Sequence, residues 1–380
     1  MPETAPNPLH QLHALGQSVW LDYIRRGILD NGELEAMIGS YDLRGVTSNP
    51  SIFEQAIGES DDYDDAMEFL AADGADAMEA YEALAIEDIQ RACDLFRPVH
   101  DAAEGHDGLV SLEVSPELAH DTEGTQADAR RLWGAVDRPN VMIKVPGTAA
   151  GLPAIEQLLS EGINVNITLL FSLGGYERVM EAFLRGMERR AQAGAPLGRV
   201  ASVASFFVSR VDTAVDAELE RIAGEGGERG ERARALLGRA AIANAKLAYA
   251  AFQRVFSGER WERLAALGAH VQRPLWASTS TKNPHYRDVM YVEELIGPDT
   301  VDTIPLATIL AFAGHGVAER TVDRDLDRAR AELAALRELG IDLDEVTERL
   351  QVEGVEKFAK SFRQMLKVVD EKLTRVAQST

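Results

Sequence analysis

Seven lysines stand against thirty-two arginines in this chain, and of the seven only Lys144 falls inside an apolar, strand-like run, VMIKVP. An amine among apolar neighbours is disfavoured as an ammonium, and the neutral amine can attack a carbonyl to form a Schiff base. The plainer reading is a lysine at a strand end whose head reaches solvent. Its company favours the chemistry. Asp22 in SVWLDYI and Glu113 in GLVSLEV are carboxylates in runs of the same kind. Either alone could simply pair with Lys144; together they supply the acid and base groups that imine formation, carbon–carbon cleavage and release require. Thr47 and Asn49 in GVTSN, Asn166 and Thr168 in INVNITLL, and Ser205 in VASVASFFV fill a barrel by default, yet can direct hydrogen bonds at the hydroxyls of a polyol.

Arg210 and Lys282 follow two of these runs, with Ser278 close by, and cations at such places can hold an anion; surface ion pairs are the competing explanation. The histidines lack metal-ligand spacing, no CxxC occurs, and neither a P-loop nor a Gly-x-Gly-x-x-Gly follows a strand. Neither a metal nor a nucleotide cofactor is expected.

These residues need elements to hold them. Eight short apolar or alternating runs recur, SVWLDYI, GVTSN, GLVSLEV, VMIKVP, INVNITLL, VASVASFFV, PLWASTS and VDTIPLA, with helical stretches such as GLPAIEQLLSEG between them. Eight strands alternating with helices predict an α/β chain folded as one (β/α)8 TIM barrel over residues 1–380. Side chains two apart share a strand face, so Trp20 with Asp22, Thr47 with Asn49, Ser111 with Glu113, Met142 with Lys144, Asn164 with Asn166 and Thr168, Ser205 with Phe207 and Ser278 with Ser280 are expected on the interior phase. Nearly every run carries a polar residue towards its carboxyl end, and active sites of this fold lie at the carboxyl rim.

Helical elaborations are expected at about residues 50–107 and 211–272, the second as two helices around a Gly-rich turn. One or two terminal helices, at about 343–376, are expected against the barrel exterior.

Hydrophobic residues make up 46% and charged residues 27%, enough to bury a core. A net charge of −23 repels nucleic acid and anionic membrane, and neither is an expected partner. With no long apolar run and no signal-like amino terminus, the protein is expected to be soluble and cytoplasmic. Cys93 lies in a helical stretch and reads as a buried apolar residue. Self-association into a homo-oligomer stays open.

The segments VTSNPSIF, SLEVSP, VMIKVPGTAAGLPAIEQLLSEGINVNITLLFS and SFFVSRVD resemble the transaldolase family, from about Pro8 to Arg320. The resemblance implies a class I aldolase-type barrel with its lysine on the fourth strand, acting on sugar phosphates in the pentose phosphate pathway. It gives Lys144 the Schiff-base role, Asp22 proton transfer and Glu113 water-mediated acid–base work. Asn49, Asn166, Thr168 and Ser205 match positions that order substrate hydroxyls or a water, and Arg210 and Ser278 match phosphate positions. The best-known members have ASFRN where this chain has ASTSTKNP, so Lys282 is our inference for the second cation. The longer chain and TSTKNP look like a bacterial branch. Phe207 stands where the aldolase branch has a tyrosine, which favours transfer of dihydroxyacetone over its release. A fructose 6-phosphate aldolase is the nearest rival, and a non-catalytic sugar-phosphate-binding regulator the rival from another class.

Overall fold

The computed structural model describes residues 7–378. Eight strands, β1 (Gln17–Leu21), β2 (Leu43–Val46), β3 (Leu109–Glu113), β4 (Val141–Pro146), β5 (Val165–Leu170), β6 (Ser202–Phe207), β7 (Arg273–Ala277) and β8 (Thr300–Ile304), close into a barrel in sequence order. Every neighbouring pair is parallel, including β1 with β8, so the chain is a (β/α)8 barrel as its eight runs predict. The strands are buried on both faces because helices cover the outside and side chains fill the inside, apart from the partly exposed Arg44. Gly45 is required where β2 meets β1: a Cβ there would lie 2.7 Å from the Trp20 indole and 2.6 Å from the Leu109 carbonyl oxygen.

The connection after β2 forms helices Pro50–Gly58, Asp64–Ala72 and Ala77–Ala102. The longest of them starts with a capping box between Asp76 and Glu79, and Cys93 is buried within it. The connection after β6 departs from expectation, since AELERIAGEGGERGERARALLGRAAIANAKLAYAAFQRVF spans three helices, Ser209–Gly224, Gly227–Leu236 and Ala240–Val255. The second break comes at Gly238, whose φ of +69° suits glycine and whose N–H donates to Asp216. A pattern of small and charged residues hid that stop.

The carboxyl-terminal segment is one helix of 35 residues, Leu343–Ala377. It does not lie on the barrel exterior; it crosses the carboxyl mouth. Gln351 Nε2 donates to the carbonyls of Gly147, just after β4, and of Leu169, near the carboxyl end of β5, and Lys372 Nζ donates to Ser60 O. Periodicity reveals an apolar stripe but not the surface that covers it. Among the described residues no helix is long and apolar enough to cross a membrane.

Candidate active site

Lys144 projects from β4 in register with Glu113 of β3 on one side and Asn166 of β5 on the other. Its Nζ donates to the Ser48 carbonyl at 3.1 Å and lies 3.2 Å from Glu113 Oε2. The pair is buried, with side-chain exposures of 6% and 3%, so the ammonium and carboxylate have little water to share. Their approach is an ion pair by distance, and neither Glu113 oxygen has an aligned hydrogen-bond donor. Burial pushes the Glu113 carboxyl above the usual range, and the positive charge of Lys144 opposes this.

A cavity of about 200 Å³ opens above Lys144 at the carboxyl ends of the strands. Asp22, Thr47, Asn49, Thr168, Ser205, Phe207, Arg210, Ser278 and Lys282 line it, so the structure brings these expected residues together. Asp22 follows β1, and its Oδ1 accepts from Thr47 Oγ1 at 2.8 Å. Its carboxyl is also raised, first by burial, against the lowering effects of Lys144, the Thr47 hydrogen bond, Arg210 and Lys282. Two carboxyl groups displaced toward neutrality beside one amine suit proton transfer.

Local structure explains how the rim presents its groups. Asn49 is the N-cap of the Pro50–Gly58 helix: its Oδ1 accepts from Ile52 N at 3.0 Å, and Pro50 begins the first turn. The amide NH2 is then the end free to meet a ligand. Two non-glycine residues adopt positive φ at the rim, Leu169 at 61° and Ser278 at 59°. Such backbone is uncommon outside glycine and collects at sites where the surroundings enforce it. The bend at Leu169 falls where β5 slips register against β6, and Thr168 ends with its hydroxyl buried and without a protein partner. Ser278 ends the strand alternation, and its hydroxyl lies 2.9 Å from that of Ser209.

Two expected residues stand apart from the cavity wall. Glu113 lies behind it, against Lys144. Asn166 is fully buried with both ends of its amide engaged: Nδ2 donates to Ser111 Oγ at 3.0 Å and Oδ1 accepts from Ser205 Oγ at 2.7 Å. It therefore orients Ser205. Phe207 packs on Phe171, with ring centroids 5.0 Å apart, and carries the Arg210 guanidinium 4.9 Å over its ring. Lys282 reaches the cavity while donating to Ser280 Oγ at 2.7 Å.

The loop bearing Ser278, Ser280 and Lys282 is tied to the helix that begins at Ser209. Tyr286 donates to Asp216 at 2.6 Å and Tyr291 to Asp212 at 2.8 Å. Burial holds the Asp212 carboxyl up at about 7.

Four residues at or behind the cavity stand out among those that the sequence did not single out. Thr303 of β8 pairs its hydroxyl with Thr47, and the Ser48 carbonyl holds Lys144. The other two, Lys357 and Phe358, come from the terminal helix, and the Phe358 ring lies 5.6 Å from Lys144 Nζ. No local pattern says that a helix two hundred residues away covers a lysine.

Fold and site define an α/β-barrel enzyme whose polar groups converge at the carboxyl ends of its strands. The family model described as transaldolase/fructose-6-phosphate aldolase matches residues 19–369, and the chain belongs to that family. The match extends beyond Arg320 and takes in most of the terminal helix. A protein named transaldolase from Parafrankia sp. (strain EAN1pec) is 52% identical over 97% of this chain and 99% of its own length. Transaldolases from Thermobifida fusca and Trichodesmium erythraeum are 51% and 44% identical, each over 97% of this chain and 98% of its own length.

Proposed function

We propose that this enzyme is a transaldolase that moves a dihydroxyacetone unit from sedoheptulose 7-phosphate or fructose 6-phosphate to glyceraldehyde 3-phosphate or erythrose 4-phosphate. The observation that carries this is the buried amine of Lys144, held between Glu113 and the Ser48 carbonyl beneath a cavity that also contains Asp22. The neutral amine attacks the C2 carbonyl, and loss of water gives an iminium. Glu113 moves the protons of these steps through a water, with the Thr168 hydroxyl as a second contact. Asp22 takes the proton from the C4 hydroxyl, the C3–C4 bond breaks, and the iminium accepts the electron pair as an enamine. The aldose phosphate leaves. C3 of the enamine then attacks the acceptor aldehyde, Asp22 returns a proton to the new alkoxide, and hydrolysis frees Lys144. Asn49 and Ser205 hold hydroxyls, while Arg210, Ser278 and Lys282 hold the phosphate. A cytoplasmic place of action belongs to the same reading, because sugar phosphates are intracellular intermediates.

Borohydride reduction with fructose 6-phosphate, followed by peptide mapping, tests this. The dihydroxyacetone adduct is expected on the peptide containing VMIKVPG, and activity should survive EDTA because the iminium is the electron sink. An adduct on another lysine, or no adduct, overturns the Schiff-base assignment.

A further inference from the structure

We propose that Lys357, on the terminal helix, is a third cationic ligand of the substrate phosphate, completing a site that the barrel strands build only in part. This rests on the sugar-phosphate reading above. Lys357 lines the cavity together with Arg210 and Lys282. Counting Lys144, four cations face this cavity against the single carboxylate of Asp22, in a chain whose net charge is −23. Elsewhere the molecule pairs its cations freely, as in Arg260 with Glu181 and Glu188. Here it does not. Among the described residues Arg210 lies over the rings of Phe207 and Phe358, Lys282 binds a serine hydroxyl, and neither makes an ion pair within 4 Å, Asp22 acting on both only from a distance.

The three charges sense one another. Arg210 above all, then burial, then Lys282, hold the Lys357 ammonium below the usual lysine range. Grouping like charges without a counter-ion costs free energy, and a phosphate monoester, largely dianionic at neutral pH, relieves it on binding.

The helix that delivers Lys357 is fixed rather than draped. Gln351 ties it to the carboxyl ends of β4 and β5, at Gly147 and Leu169, and Ser51 Oγ donates to Ser361 Oγ at 2.8 Å. Phe358, the next residue, is buried over Lys144 and Arg210, and Lys357 beside it lines the same cavity as Arg210 and Lys282. A pre-placed cation loses little freedom on binding.

The test uses the full chain as wild type, Lys357→Met, Lys357→Arg and, as a control on the same exposed helix face, Lys360→Met. Inorganic phosphate is titrated into each protein without substrate, at several salt concentrations, and kinetics are measured with fructose 6-phosphate and with unphosphorylated fructose. Lys357→Met should weaken phosphate binding and raise the KM for fructose 6-phosphate by about tenfold, and flatten the salt dependence. Its loss of kcat/KM on fructose should be less than about threefold. The arginine variant should recover most of the affinity, and Lys360→Met should match wild type. Unchanged phosphate affinity in Lys357→Met, or an equal loss in Lys360→Met, overturns the proposal. Because phosphate binding is read without turnover, failure of the Schiff-base trap would sink the transaldolase reading and leave this result standing.

Discussion

The two ends of the barrel both bury charge, and they treat it in opposite ways. At the amino-terminal end Arg273 donates to Ser18 Oγ at 2.7 Å, to the His106 carbonyl at 2.8 Å and to Asp107 at 3.3 Å. Asp107 also accepts from Ser18 and, at 3.1 Å, from Trp20 Nε1. Both charges are surrounded by partners, and the network plugs the barrel. At the carboxyl end Lys144 and Glu113 are equally buried, yet the Glu113 oxygens and the Thr168 hydroxyl lack protein hydrogen-bond partners, and among the described residues the rim cations Arg210, Lys282 and Lys357 make no direct ion pair with a carboxylate. A buried charge whose hydrogen bonds are complete fixes structure; one left with unused capacity remains available to a ligand. The same residue types therefore suit stability at one end and the proposed chemistry at the other.

The largest effect that sharpens this contrast is expected from Lys144→Met. It should lower kcat by about 10⁴-fold or more while changing unfolding free energy by less than about 2 kcal/mol, measured by steady-state assay and urea melts. A variant that keeps substantial activity would break the comparison at its active end. The mirror-image change is Arg273→Met, which strands Asp107 in the interior. We expect about 3–5 kcal/mol of lost stability, with kcat per folded molecule within about twofold of wild type. A stable Arg273→Met protein with low kcat would mean that the plug communicates with the mouth.

Arg210→Ala and Lys282→Ala should each cost roughly 1.5–3 kcal/mol in kcat/KM on phosphorylated substrates and less on unphosphorylated ones. Equal losses on both would argue against a phosphate role. A smaller effect concerns pH at the plug. Burial first, then Arg273 and the neighbouring His270, hold His106 down at about 4 against an ordinary 6.5. The unfolded chain therefore binds more protons between these values, so this contribution is fully present above about pH 6.5 and is lost as pH falls toward 4. His106→Gln should flatten that limb of the stability curve by up to about 3 kcal/mol; an unaltered limb in thermal melts would remove His106 as its cause.

The smallest effect is expected from Phe207→Tyr, in which a hydroxyl beside the enamine aids its protonation. The ratio of free dihydroxyacetone released to transfer onto erythrose 4-phosphate should rise a few-fold, roughly 1 kcal/mol or less. Since Phe207 also supports Arg210, a rise in KM for fructose 6-phosphate with no change in that ratio would make it a platform for the arginine rather than a guard of the enamine.

By itself the sequence determined the barrel and the inner ring of its site. Eight strand-like runs separated by helices leave few topologies, and a period of two assigns inward faces, which is why Lys144, Asp22, Thr47, Thr168 and Phe207 could be read as neighbours before any fold was known. The lysine in VMIKVP was legible because a charge in an apolar run is improbable without a use. Tertiary structure alone decided which polar groups stay unpartnered, and where the terminal helix goes. Asn166 and Ser205 share the inward phase, but only packing shows the asparagine saturated behind the wall and the serine at its surface. Lys357 and Phe358 belong to a helix whose apolar stripe would suit many surfaces. Its course across the mouth is set by partners such as Gly147, Leu169 and Ser51, far away in the chain, and such long-range complementarity leaves no mark in the local periodicity from which elements are read.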